Sequence, residues 1–286
     1  MPLKNFEIRT DFADEWILNH KEDDSFTHHI MQKEGIDLHF IQILKEENSL
    51  HKQKGIYVTL AYEKMDDREA RLKIASTLQF CIRELLEKMK VTPHKFLVVG
   101  LGNRMVASDA LGPLVANEIM VTAHFYKDGS FDMKGTQEVA AIVPGVMGQT
   151  GIESGEIVKS IVDTYGPELV IVVDALATGS TARINRVIQL NSVGIIPGSG
   201  VGNHRMKLDE ETLGVPVLSL GVATVISVAA IVKECVPQLD FEQLQEAHPF
   251  FHLAVTPNSI DVEMKQLCEI LALALNRFLH PDFDKL

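Results

Sequence analysis

Residues 95–113 read KFLVVGLGNRMVASDALGP, and residues 169–180 read LVIVVDALATGS. Each begins with a short, nearly unbroken apolar run rich in valine and passes into a loop carrying the tripeptide Asp-Ala-Leu. Such a run is what a strand buried on both faces requires, since none of its side chains has to meet water. Residues 139–143 form a third run of this kind, and residues 215–222 a fourth.

Helical patterns separate these runs. Ile74, Leu78, Ile82, Leu85 and Leu86 recur at helical spacing between residues 67 and 90. Residues 111–124, 152–165, 225–232 and 259–279 also read as helices, the last opening after Pro257 with Asn258 as its expected cap. Residues 183–190 alternate and read as a less buried strand. Strands alternating with helices imply an α/β fold, a mainly parallel twisted sheet with helices on both faces. Ahead of it lies a polar N-terminal extension with two short strands, at residues 36–44 and 55–61, joined by a charged loop.

Acidic residues outnumber basic ones 39 to 27, for a formal charge of −12. Gripping phosphates needs clustered Lys and Arg, so nucleic acid is not an expected partner. The first residues lack the apolar core of a signal peptide, and no apolar run reaches the roughly 18–20 residues needed to span a bilayer. Cys81, Cys235 and Cys268 form no CxxC pair, as suits a reducing cytosol, and Cys81 reads as a core thiol. A soluble, cytoplasmic protein is the expectation.

In open α/β sheets the ligand site lies beyond the carboxyl ends of the parallel strands. The loops to inspect are therefore residues 100–113, 144–155, 174–180 and 194–205. Two of them place a carboxylate, Asp109 and Asp174, at the same end of the sheet. Facing carboxylates cannot both ionise cheaply, so they share a proton. One can then take a proton from water while the other donates one, which is aspartic-type peptide hydrolysis. The residues alone leave a second reading open, with Asp109 capping a helix and Asp174 capping a turn. Gly100 and Gly102 suggest a dinucleotide loop, but the third glycine is out of place. Their plainer role is in tight turns. His248 and His252 have helical spacing interrupted by Pro249, and no metal site is expected from them. His28 and His29 read as solvated, and Phe12 and Trp16 as anchors of the N-terminal segment or as core.

Taken together, FEIRTDFADE (residues 6–15), YVTL (57–60), VVGLGNRMVASDALGP (98–113), AAIVPGVMGQTGIESGEIV (140–158), IVVDALATGSTARINRVIQL (171–190), GIIPGSGVGNHRMKLDEETLGVPVLSLGV (194–222) and VTPNSIDVEM (255–264) resemble the germination protease family of spore-forming Firmicutes. That resemblance implies a self-processing endopeptidase that begins the breakdown of small acid-soluble spore proteins, in the cytoplasm of the forespore or spore core. It implies a fold similar to that of hydrogenase-maturation peptidases, a homotetramer, and no cofactor. The family's two essential aspartates correspond to Asp109 and Asp174. Its leader is cut at a motif matched by Arg9-Thr10-Asp11-Phe12-Ala13, giving residues 1–11 as leader, a cut between Asp11 and Phe12, and residues 12–286 as one peptidase domain. Gly145, Gly148, Gly198, Gly200, Gly202 and Asn203 are the expected substrate-binding residues.

The chain departs from the family pattern where Gly-Val-Pro-Thr-Val-Val-Asp-Ala is expected and residues 221–228 read GVATVISV. The stretch between Val232 and Val255 is also short for the family. Two other readings are kept: a metal-dependent peptidase of the hydrogenase-maturation kind, and a nucleotide-binding or phosphorylase-like enzyme using the loop at Gly100. A family member retained only for binding is a third.

Overall fold

The computed structural model describes residues 10–17, 23–129, 135–198, 205–238 and 249–282. The chain runs α1 (Asp14–Ile17), β1 (Phe26–Lys33), β2 (Ile36–Ile43), β3 (Gly55–Ala61), α2 (Arg68–Met89), β4 (Lys95–Gly100), α3 (Leu111–Asn117), α4 (Ala123–Asp128), β5 (Glu138–Ile142), α5 (Met147–Thr150), α6 (Ser154–Tyr165) and β6 (Leu169–Thr178). It continues through β7 (Val187–Asn191), α7 (Glu210–Leu213), β8 (Val217–Ser227), α8 (Val228–Cys235), β9 (Ala254–Val255) and α9 (Ile260–Leu279). Single 3-10 turns cover Ala107–Asp109, Thr181–Arg183 and Pro249–His252.

The strands form one sheet in the order β1-β2-β3-β7-β8-β6-β4-β5, with β9 paired to β8. The half containing β5, β4, β6 and β8 is parallel, as expected for apolar runs linked by helices. The other half, β8-β7-β3-β2-β1, is antiparallel throughout. Parallel neighbours need a crossover of a dozen or more residues. The link from β6 to β7 contains only the turn Thr181–Arg183, so β7 must run back against its neighbour.

Helices α2, α3 and α9 cover one face, where Leu78, Ile82, Val115, Leu271 and Leu275 pack with Val98, Ile171 and Leu220 of the strands. α2 begins where the Asp67 side chain accepts a hydrogen bond from Ala70 N and ends at left-handed Lys90. The opposite face is divided. Over the parallel half, Val158 and Val162 of α6 and Leu213 of α7 pack on Leu97, Val99, Val170 and Val172. Over the junction of the halves and the antiparallel half lies the N-terminal segment itself: Phe12 packs on Leu176, Val187 and Ala223, while Ala13, Trp16 and Ile17 join Ile41, Ile43 and Tyr57.

Several boundaries differ from the sequence reading. The helix expected over residues 111–124 breaks after Asn117 and resumes at Ala123 as α4. β8 extends to Ser227, so the helix expected from residue 225 starts at Val228. Ser227 caps α8 by accepting from Ala230 N, which explains one departure from the family pattern: Ser and Asp serve equally well as N-caps. α9 is flanked by Ser259 rather than Asn258, and makes no side-chain cap bond there. Residues 26–33, unread in the sequence, form edge strand β1. His28 lies on it half-buried, stacked on His39 with Nε2 and Nδ1 3.1 Å apart, whereas His29 is exposed as expected. Cys81 and Cys268 are buried, and Cys235 is exposed.

Candidate active site

Asp174 sits inside β6, four residues before the strand ends, and is only 7% exposed. Asp109 closes the turn Ala107–Asp109 that links β4 to α3. Glycines let these two pieces of backbone meet. A Cβ on Gly112 would lie 2.2 Å from Leu101 O and 2.4 Å from Val173 O, so only glycine lets α3 settle against the backbone just after β4 and the middle of β6. Gly102, at φ +114°, turns the loop back so closely that a Cβ there would stand 2.1 Å from Asp109 O. Gly100 and Gly102 therefore serve close backbone packing, the first against Gly112 and the second against Asp109. Neither aspartate caps a helix: Asp109 accepts from Asn103 N at 2.8 Å, back within its own loop, and Asp174 accepts from Ala175 N at 2.9 Å. α3 starts without a side-chain cap.

Electrostatically the two carboxyls sense each other. Burial raises the Asp174 pKa most, the neighbouring Asp109 charge adds to this, and Asp11 adds further, together pushing it up to about 8 against the pull of the Ala175 N–H. Burial also raises Asp109, but the Asn103 N–H and the Arg205 charge both favour its ionised form. The arrangement provides one carboxyl that holds its proton through neutral pH and another that releases it more readily.

The N-terminal segment lies across this end of the sheet. Asp11 N donates to Ala177 O at 3.0 Å and Asp11 Oδ2 accepts from Ala177 N at 2.8 Å, three residues beyond Asp174 on the same strand. Phe12 and Ala13 are fully buried. Asp14, also buried, receives two hydrogen bonds from Arg183, at 2.8 and 3.0 Å, and one from Thr59 Oγ1 at 3.2 Å. Glu15 pairs with Arg183 Nε at 2.8 Å and accepts from Gly179 N at 2.9 Å. Arg183 also stands 5.1 Å from the centre of the Phe12 ring. The anchoring expected of Phe12 and Trp16 is thus what the fold contains.

Four residues singled out in the sequence, Asp11, Phe12, Asp109 and Asp174, meet at one end of the sheet. Gly145, at φ +73°, lies in the loop after β5, where its carbonyl accepts from Ser154 Oγ at 2.7 Å. Gly148 is in α5, and the neighbouring Gln149 donates to Asn103 Oδ1 at 2.8 Å, tying this loop to the one that bears Asp109. Gly198, at φ +58°, packs against the Arg205 guanidinium. Gly200, Gly202, Asn203, His248 and most of the expected leader lie outside the described residues. The sequence reading missed Gln189, Arg183 and Arg205. The first had a visible signal, an amide in the buried strand VIQLN.

Residues 7–248 match a family model described as germination protease. A germination protease from Clostridium acetobutylicum is 36% identical, over 88% of this chain and 87% of its own length. One from Clostridium perfringens is 34% identical over 97% and 96%, and one from Oceanobacillus iheyensis 39% over 81% and 67%. Among solved structures, the hydrogenase maturation protease HycI from Thermococcus kodakarensis matches with a TM-score of 0.34 and 17% identity, over 66% of this chain and 97% of its own.

Proposed function

From the premise that the chain belongs to the germination protease family, we propose that it is a self-processing, aspartic-type endopeptidase in which Asp109 and Asp174 activate water. Membership itself carries the coarser activity, peptide-bond hydrolysis in protein substrates with spore germination as its setting. The observation that carries the finer reading is the seat of residues 11–15. The Asp11–Phe12 bond lies where Asp11 pairs with the strand bearing Asp174 and where its charge acts on that carboxyl. Residues 1–11 are then a leader and 12–286 the peptidase. The ionised carboxylate takes a proton from water as it attacks, and the protonated one supplies the leaving nitrogen.

Small acid-soluble spore proteins are the proposed substrates, met in the spore core, with a homotetramer as the working assembly. Exposed Met105, Val143, Met147 and Ile152, on the loops that follow β4 and β5, offer apolar contacts to an extended polypeptide. The Gly145–Gly148 loop and residues 198–203 are the proposed walls of that groove. No cofactor enters the proposed chemistry.

The test is intact mass over time, with digestion of a spore acid-soluble protein, for wild type, Asp109→Asn and Asp174→Asn. Wild type should lose residues 1–11 and cut the substrate. Both variants should remain folded and process at least about 10³-fold more slowly. Variants that process at the wild-type rate would show the aspartates to be structural and sink this mechanism.

A further inference from the structure

Across the face of the sheet, Asp174 is in register with Gly221, Gly221 with Gln189, and Gln189 with Thr59. These four residues form one row over β6, β8, β7 and β3. With strands about 4.8 Å apart, the backbones of Asp174 and Gln189 stand roughly 10 Å from each other. Gly221 has no side chain of its own at the position between them, which the Leu176 side chain covers: a Cβ there would lie 2.4 Å from Leu176 Cγ. The next row on the same face contains Leu176, Ala223 and Val187, the three residues beneath Phe12.

Gln189 is only 2% exposed, yet both ends of its amide are engaged by the segment above it. Nε2 donates to Asp11 O at 3.1 Å, and Oε1 accepts from Ala13 N at 2.8 Å. A carbonyl can only accept and a backbone N–H can only donate, so the partners fix which end of the amide is which. The carbonyl it holds belongs to the Asp11–Phe12 bond. A buried amide directed at that one oxygen is more than sheet packing requires, since Val187 and Leu190 fill this strand with apolar groups.

We propose that Gln189 is a catalytic residue that holds the scissile peptide by its backbone and stabilises the oxygen of the carbonyl under attack. This rests on the reading above, in which Asp11–Phe12 is the bond cut. Water attacks the Asp11 carbonyl carbon and gives a proton to the ionised member of the aspartate pair. The carbonyl π electrons move onto the oxygen, which the Gln189 N–H stabilises. The C–N bond then breaks as the Phe12 nitrogen takes the proton held by the other aspartate. One water is consumed, leaving a carboxyl on Asp11 and an amine on Phe12. Because Gln189 reads backbone atoms only, it would serve any sequence lying in this groove, while the apolar row beneath Phe12 selects the side chain after the cut.

The experiment follows leader loss in the full chain by intact mass, for wild type, Gln189→Met and Gln189→Glu, with Asp174→Asn as the blank. Hydrogen exchange over residues 10–17 monitors whether the segment stays seated. Removing one donor of this kind slows catalysis by roughly 10²–10³-fold. Gln189→Met should show that loss with the segment still protected. Gln189→Glu keeps the acceptor for Ala13 N and guards against a Met variant that fails to fold. It should be equally slow near neutral pH, and its rate relative to wild type should rise as acid protonates the glutamate and restores a donor. Wild-type rates in both variants, or slow rates accompanied by lost protection, would overturn the assignment. A wild type that never cuts, or an Asp174→Asn blank that cuts normally, would instead overturn the protease mechanism beneath it.

Discussion

A carboxyl group whose pKa is pushed up to about 8 keeps its proton where a solvated aspartate, near 3.9, has lost it. For Asp174 this has a cost with a definite sign. Between the two pKa values the folded chain binds a proton that the unfolded chain releases, so rising pH favours unfolding. The stabilising contribution is complete below about pH 4 and is lost as pH climbs towards 8. Asp174→Asn lacks this penalty. Its melting temperature should match wild type near pH 4 and exceed it by a margin that widens up to pH 8. A constant margin across thermal melts at pH 4, 6 and 8 would mean that the carboxyl is not strained by its surroundings. Activity should follow the same proton, declining above pH 8 as the pair becomes doubly ionised. Arg205 and the Asn103 N–H favour charge on Asp109, which makes it the expected base and Asp174 the acid. At this scale the sequence was partly informative. The repeated Asp-Ala-Leu after buried runs marked the pair, although the second lies inside β6 rather than in the expected loop; the amide in VIQLN was visible, but its partners, 176 and 178 residues away in sequence, were not.

At the scale of elements, periodicity was a good guide wherever one face had to be apolar. β3 and the last helix came out within a residue of their expected bounds, and α2 lies within the expected span of residues 67–90. The reading failed where tertiary contacts override local pattern. The apolar stretch from Val217 to Val232 passes from strand to helix with only Ser227 as punctuation. β1 was missed because an edge strand tolerates the polar sequence FTHHIMQK. Arg183 was assigned to a strand but belongs to a turn, where it reaches Asp14 and Glu15. α3 owes its place to glycine rather than to propensity, and this is testable. Gly112→Ala, which would improve an isolated helix, should destabilise the protein by about 1–3 kcal/mol, since its methyl group falls on backbone atoms of Leu101 and Val173. Urea denaturation would measure this, and an unchanged midpoint would show that the contact has room to relax.

For the molecule as a whole, the sheet has two halves of opposite character, and the site lies near where they join. Apolar runs announced the parallel half. The antiparallel half was hidden in the brevity of the β6–β7 connection. What ties the N-terminal segment to both halves is Arg183, whose partner Asp14 is 4% exposed. Removing one member of a buried pair leaves the other charged and uncompensated, at about 3–5 kcal/mol. Arg183→Met should therefore lower stability by that order and open residues 10–17 to limited proteolysis. Resistance equal to wild type would show that Phe12 and Gln189 are sufficient to hold the segment. The surfaces on which residues 11–15 rest have a further property, one of chronology. The partners of Asp11 and the floor beneath Phe12 are contributed by residues 174–189 and by Ala223, whereas Ala13 and Asp14 also meet earlier strands at Ile41, Tyr57 and Thr59. Asp11 is thus synthesised more than 160 residues before Asp174 and about 200 before the last wall of its own seat. During translation Ala13 and Asp14 meet early partners but Asp11 and Phe12 do not, and a cut that depends on their seat must wait until nearly the entire sheet exists.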